Sequence, residues 1–487
     1  KDDFTFQKMI FSLCLPVARF DLNTKVMRDP YSLYKVGSAA EYYSKVSAPN
    51  RPNGIGDDFK VYTQGQNDPS VKAFRDGDTW YFADGRQAND GNLIFGGGVV
   101  SPYLSDTVSG DDIFDPRFDP ATAFEDYTPQ VNWLPRLAFS FPISEDANFF
   151  AHYDILVQRP PSNWQVTPLD YIYFYVPGRT PDNNANLKPE RVVDYEVGFQ
   201  QRLNQNSALK FSAYYRELRD MIQSRTILFV PTIGRYDTYG NLDFGTVKGF
   251  TVQYDLRRIQ NAELRLAYTL QFADGTGSDP NTSLSLLNAG QPNLRTIAPL
   301  NFDQRHRITT NVDFSYGNGN DYNGPVIAGA KILQNTGVNF TTILRSGTPY
   351  SISSLVVQEG NMNPPGGRLV GTINGARLPW QFNTDLQLYR DIPLSFGKDG
   401  DADKAKKANL NVYLLVTNLF NNKVITGVYR ATGSPTDDGY LAAARYQDNI
   451  NNQIDPQSFR DLYALKVNNP YNFGAPRTIR LGLRFDF

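Results

Sequence analysis

Residues able to do acid–base, nucleophilic or metal chemistry are few in this chain. Its 487 residues include one cysteine, Cys14, and two histidines, His152 and His306. A lone cysteine forms no intramolecular disulfide and supplies no zinc-finger spacing. Two distant histidines leave little for imidazole metal sites or for Ser-His and Cys-His hydrolysis. The sequence has no nucleophile elbow, P-loop or zincin helix, so neither enzyme activity nor a cofactor is expected. Two clusters offer binding chemistry instead. Asp111, Asp112 and Asp115, with Asp119, supply the carboxylate oxygens that calcium takes. Their spacing departs from the EF-hand loop, so a solvated acidic loop is the favoured reading and no metal is assigned. Trp80, Tyr81 and Phe82, with Trp164, Tyr171, Tyr173, Phe174 and Tyr175, present rings that can stack on a sugar or an aromatic chelate. Packing within a loop, or a belt at a membrane boundary, accounts for them more simply. His152 and His306 are expected to make structural hydrogen bonds, and Cys14 to be a small apolar residue in a strand.

The elements that must position these residues follow from period and charge. Lys+Arg 48 against Asp+Glu 50 excludes a basic nucleic-acid surface. No run of 18 apolar residues suggests a membrane helix, and the mean hydropathy of -0.44 does not exclude a spanning barrel, whose alternating residues hide its hydrophobicity. The dominant period is two. Val193, Tyr195, Val197 and Phe199 alternate with Asp194, Glu196, Gly198 and Gln200; Leu264, Leu266, Tyr268 and Leu270 alternate with Arg265, Ala267 and Thr269. Such runs span about 9–12 residues, the length a tilted strand needs to cross a bilayer. Short connections, near 203–207 and 258–262, alternate with long ones such as 159–190, 220–246 and 418–476. Charged or amide residues occupy the polar face of nearly every strand. These features predict an all-β fold, an antiparallel transmembrane β-barrel with long extracellular loops, here of about twelve strands. The first strand is expected over Phe4–Asp21, rising from the short-turn rim. Residues 24–132 are expected to be a long extracellular loop region, 401–407 a charged turn, and no helix of convincing length is expected.

The C-terminus reads Arg477-Thr-Ile-Arg-Leu-Gly-Leu-Arg-Phe-Asp-Phe487. An alternating last strand ending in Phe resembles the terminal strand of bacterial outer-membrane barrels, and that resemblance makes Phe485 and Phe487 the barrel-assembly signal. Asn186-Leu-Lys-Pro-Glu190 with Tyr195-Glu196-Val197-Gly198-Phe199, Phe302-Asp-Gln-Arg-His306, Arg345-Ser-Gly-Thr-Pro-Tyr350 and Val416-Thr-Asn-Leu-Phe-Asn421 follow one another as they do in TonB-dependent receptors, which these segments resemble. The resemblance implies an outer-membrane importer of scarce ligands and a barrel of about 22 strands. It also implies a plug gated by the TonB system, outer-membrane lipid around the wall, and a possible surface lipoprotein or other membrane partner. Nothing here looks like the plug or the TonB box, and Lys1-Asp2-Asp3 has no initiator Met. Residues 1–487 are therefore expected to be the C-terminal part of such a barrel, with 477–487 its closing strand and the remainder upstream. Two other readings share the alternation. One is a self-contained twelve-stranded outer-membrane pore or enzyme; the other is a soluble carbohydrate-binding β-protein.

Overall fold

A computed structural model describes the chain except for residues 1, 7, 33–34, 48–49, 66–67, 97–99, 105–122, 161–182, 232–233, 283–294, 360–367 and 397–405. Its main element is an antiparallel sheet whose strands follow chain order: β1 (Asp2–Phe6), β2 (Met9–Cys14), β3 (Arg136–Pro142), β4 (Ala147–Gln158), β5 (Glu190–Asn204), β6 (Ser207–Val230), β7 (Gly234–Ile259), β8 (Ala262–Gly275), β9 (His306–Ser315), β10 (Thr336–Arg345), β11 (Gln381–Phe396), β12 (Lys406–Thr417) and β13 (Thr478–Asp486). The two-residue strand Ala298–Pro299 pairs with β8 as a fourteenth member. The ends of this path are β1 and β13, and among the described residues no pairing joins them.

The register sorts side chains onto two faces. Phe149, Phe199, Phe211, Val252, Tyr268, Ile308, Leu344 and Phe382 stand opposite one another across eight consecutive strands. One residue along, the row reads Phe150, Gly198, Ser212, Thr251, Thr269, Arg307, Arg345 and Gln381. Successive strand residues point to opposite sides, so one face of the wall is apolar and the other carries hydroxyls, amides and charges. On the polar face Thr251 and Thr269 lie 3.2 Å apart, Asn311 donates to Thr341 at 2.9 Å, and His152 stands 3.5 Å from Glu196. His306 is on the apolar face, between the rings of Tyr268 and Trp380, with Tyr268 Oη 3.0 Å from its Nδ1.

Four expectations need correction. The run Phe4–Asp21 is not one strand: β1 descends and β2 rises from a hairpin in which Phe4 faces Phe11. The apolar residues switch there from even positions (Phe4, Phe6) to odd ones (Met9, Phe11, Leu13), the phase slip a turn produces. The path therefore has thirteen strands, and the first of them runs toward the short-turn rim. Next, β6 and β7 are 24 and 26 residues long and pair far beyond the wall, so most of 220–246 is a protruding hairpin rather than a loop. Third, the β2–β3 ladder also continues outward. Cys14 faces Arg136 and, past Pro16 and Pro135, Val17 faces Trp133 in the same register. Leu134 N–H donates to Pro16 O across that gap at 2.9 Å. Finally, Pro456–Val467 is a 12-residue helix, with Asp455 accepting from Gln457 and Ser458 N–H as N-cap and Pro at its first turn. Of the expected charged turn, 401–405 lies outside the described residues, and Lys406 and Lys407 begin β12.

Four glycines on the polar face each lie under an aromatic ring from the residue directly opposite. Gly198 is under Phe150, Gly249 under Tyr214, Gly337 under Tyr389 and Gly482 under Tyr413. A Cβ at Gly198 would come 2.1 Å from Phe150 Cζ. Gly198→Ala is expected to destabilise the wall by about 1–3 kcal/mol through overpacking. In equilibrium unfolding from lipid vesicles the cost should shrink when Phe150→Ala is also present. Strictly additive effects of the two substitutions would show that the ring does not occupy that space.

Candidate functional site

The long connections leave the wall from one rim, and local clasps fix where each departs. The Asp303 side chain is fully buried: it accepts from Ala273 N–H at 2.9 Å, pairs with Arg305 at 2.9 Å and also pairs with Arg377. Arg305 lies 4.4 Å over the Phe272 ring. Beside it, Gln304 donates to Ser346 O at 3.1 Å and His306 N–H to Ser346 Oγ at 3.0 Å. Glu190 accepts Ile222 N–H at 2.9 Å, and Asn241 accepts Lys188 N–H at 2.8 Å. Asn418 holds φ 51, a left-handed conformation that Asn tolerates; its N–H donates to Asp385 at 2.8 Å, while Asn421 accepts Arg477 N–H at 3.0 Å. Each of these clasps falls in a segment quoted above for its resemblance.

Beyond the rim, part of 24–132 folds into a lobe. Strands Lys60–Gly65, Asp68–Asp76, Thr79–Phe82, Gln87–Ala88 and Ser101–Pro102 form one sheet. Helix Ala39–Lys45 begins with a capping box between Ser38 and Glu41. The lobe's core is continuous with the protruding hairpin: Tyr62, Trp80 and Phe95 pack in one cluster with Ile227, Phe229 and Tyr236. Arg75 is buried at its centre. It pairs with Asp29 at 2.5 Å, donates from Nε to Tyr62 Oη at 3.0 Å and from Nη1 to Gly77 O at 2.7 Å, and lies 4.3 Å over the Tyr31 ring. Tyr31 Oη in turn donates to Asp78 at 2.8 Å, and Arg225 of the hairpin grips both oxygens of Asp78 at 3.0 Å. Burial pushes the Tyr62 phenol up to about 12. Burial alone would raise the Asp78 carboxyl, but the Arg225 hydrogen bond and charge hold it below its ordinary value. Beside this chain of charges lies a cavity of about 250 Å³, lined among others by Arg28, Lys35, Asp58, Lys60, Arg75 and Asp76. A second lobe gathers Tyr429, Tyr440, Ile450, Tyr463 and Val467 around the helix Pro456–Val467, with Glu359 joined to Lys466 at 2.6 Å.

The candidate ligand-stacking rings are dispersed by this arrangement. Trp80 is 4% exposed and covered by Tyr31, Tyr62, Phe95 and Phe229. Tyr81 packs with Phe59 in a separate cluster of the lobe, and Phe82 packs against the Trp80 cluster. Trp164, Tyr171 and Tyr173 lie outside the described residues, as do the calcium candidates Asp111, Asp112, Asp115 and Asp119. Among the described residues no group of His, Cys, Asp and Glu is placed to hold a metal. Phe485 and Phe487 stack 5.9 Å apart at the end of the chain, both exposed. The charged chain from Asp29 to Arg225 was not singled out from sequence, because its members are far apart along it.

Two outcomes follow for the first lobe. Asp29→Ala leaves the Arg75 guanidinium buried without its anion, a change that typically costs about 3–5 kcal/mol. Hydrogen exchange should accelerate across Lys60–Phe82 while β8–β10 keep their protection; unchanged protection in the lobe would show that the pair is dispensable. The second outcome concerns alkali. A phenol whose folded value lies above its ordinary 10.0 contributes stability fully present below that value and lost as pH rises through the folded one. Trp80 fluorescence should therefore report a lobe that weakens between pH 10 and about 12. Tyr62→Phe should remove that part of the pH dependence.

The model of the family described as TonB dependent receptor-like, beta-barrel, matches residues 17–354. Among solved structures the chain is similar to the outer membrane transporter YddB from Escherichia coli, with 14% identity and TM-score 0.40 over 61% of this chain and 38% of that one. It is similar also to the FrpB iron transporter from Neisseria meningitidis, with 13% identity and TM-score 0.40 over 73% and 39%. A third is the ferric-catecholate import receptor Fiu from E. coli, with 11% identity and TM-score 0.41 over 99% and 42%. The chain thus spans less than half the length of each of these transporters. No curated protein sequence matches it. The family match runs from the β2–β3 extension through the first lobe and the wall to just past β10, well over half of the chain, and the chain belongs to the TonB-dependent receptor β-barrel family of the bacterial outer membrane.

Proposed function

We propose that this chain supplies wall and ligand-selecting surface to an outer-membrane importer that takes up a scarce solute and is driven through TonB. The observation that carries this reading is the first lobe. It is a cored structure with a charged cavity, joined to the wall through a hairpin that continues β6 and β7 past a bulge at Leu218/Met221. A pore that only needs an opening has no use for so large a buried assembly over its rim; a receptor that must discriminate does. The polar face of the wall, with its amide and hydroxyl ladders, suits contact with water, a plug and a passing solute. Partners on this reading are the plug, the TonB system acting through it, the lipid around the apolar face, the remaining strands of the barrel and a surface lipoprotein or other membrane protein over the lobes. Iron chelates, cobalamin, glycans and peptides are all admissible solutes.

The test is depletion of a defined mixture of those four solute classes by cells expressing the full gene. Depletion of one class is expected, with loss in cells lacking TonB and a reduced rate in cells carrying Arg225→Ala, which removes the bidentate contact between lobe and hairpin. Depletion at an undiminished rate without TonB would overturn the reading.

A further inference from the structure

Among the described residues, Arg191 on the apolar face of the wall carries a buried donor that nothing accepts. It is the second residue of β5, and its Nε is buried with no hydrogen-bond partner among the described residues. Its register places it on the lipid side. Arg191 stands opposite Val157, two residues along from Ile155 and four from Tyr153, which pairs with Tyr195 in the apolar set. It lines a groove of about 380 Å³ whose other walls are Val131, Trp133, Pro135, Ile155 and Val157, with Asn132 beside them. Val131 and Trp133 are more than half exposed. The groove exists because the β2–β3 ladder, interrupted at Pro16 and Pro135, continues outward as its own two-stranded sheet, in which Gln130–Trp133 pairs with Val17–Phe20.

The chemistry of this groove is that of an amphiphile with a negative head. Five apolar walls cannot satisfy a guanidinium, and a buried donor without an acceptor is costly. The groove lies at the outer end of β4 and the start of β5, the level at which the apolar band gives way to headgroups. The flanking basic residues are already engaged. Arg219, opposite Arg191 on β6, donates to Glu217 at 2.9 Å, and Arg19, opposite Val131, pairs with Asp21 at 3.0 Å. Each is matched by its own carboxylate, while the Arg191 Nε donor is left over. A phosphate offers several acceptor oxygens to one guanidinium fork, and the lipid side of a barrel is where phosphates attached to acyl chains are found. We propose that the groove binds one phosphate-bearing lipid of the outer leaflet, with an acyl chain along Val131, Trp133, Ile155 and Val157 and the phosphate on Arg191.

The proposal is tested by native mass spectrometry of the protein extracted from outer membranes, with lipid A, dephosphorylated lipid A and inorganic phosphate as probes. Retention of one lipid A is expected, weakened about tenfold by Arg191→Gln, as loss of a charge-assisted hydrogen bond predicts, and less by Arg191→Lys. Dephosphorylated lipid A should bind the unaltered protein about as weakly as lipid A binds Arg191→Gln, a comparison that needs no variant to fold. Equal retention of phosphorylated and dephosphorylated lipid would overturn the proposal. So would inorganic phosphate binding as tightly as the lipid, or Arg191→Gln retaining lipid A undiminished. A photo-crosslinker at Trp133 should mark lipid in whole membranes; a protein adduct there would replace the lipid with a polypeptide partner and likewise reject it.

Discussion

In hydrocarbon no water completes a hydrogen bond, so every backbone N–H and C=O on the wall must find its partner in the neighbouring strand. That one constraint orders the rest of the structure. From β3 to β13 the ladder keeps register through the membrane-crossing segments. Its irregularities fall near Arg202/Asn204 and Leu256/Ile259, beside the short turns, and near Leu218/Met221 and Leu228/Val230, on the protruding hairpin. Prolines 16 and 135, which lack the N–H, sit where the β2–β3 ladder leaves the wall. These bulges and these two prolines thus fall where water or a local contact can satisfy what the ladder leaves open.

The same constraint explains what was legible in the sequence. A wall between lipid and a polar interior demands strict alternation, and the alternation of Val193–Phe199 or Leu264–Leu270 is readable without any partner in view. Once the chain is past the membrane edge, the demand lapses. The outer half of β6 buries Ile222, Ile227 and Phe229 against different neighbours, so its residues follow those neighbours rather than a period of two. The pattern dissolves although the strand continues. The β1–β2 turn left a signal in the parity switch between Phe6 and Met9, and Asp455-Pro456 marked a helix start. Both signals are short enough to be lost inside longer runs.

Site residues were less legible for a related reason. Asp303, in the Phe302–His306 segment, was recognisable as part of a recurrent stretch. Its role became visible only with Ala273 and Arg377, which lie 30 and 74 positions away, beside it. Trp80 could be named as a ring but not assigned a place, since a loop aromatic and a core aromatic look alike until Phe95 and Phe229 are found against it. The clasps and the lobes also divide the work. The clasped segments hold the rim, where each connection must leave at a fixed point, and the lobes are built between them.

A buried ion pair is a weak way to gain stability, because desolvation offsets most of the attraction. Its effect in the first lobe is better understood as orientation. Asp29 fixes Arg75, Arg75 fixes the rings of Tyr31 and Tyr62, Tyr31 fixes Asp78, and Asp78 holds Arg225 on the hairpin with two parallel hydrogen bonds. An apolar core alone would permit the lobe to slide on the hairpin at little cost, whereas a bidentate guanidinium–carboxylate contact sets direction as well as distance. The hairpin carries that orientation inward, since its strands continue the wall strands β6 and β7 beyond the bulge at Leu218/Met221.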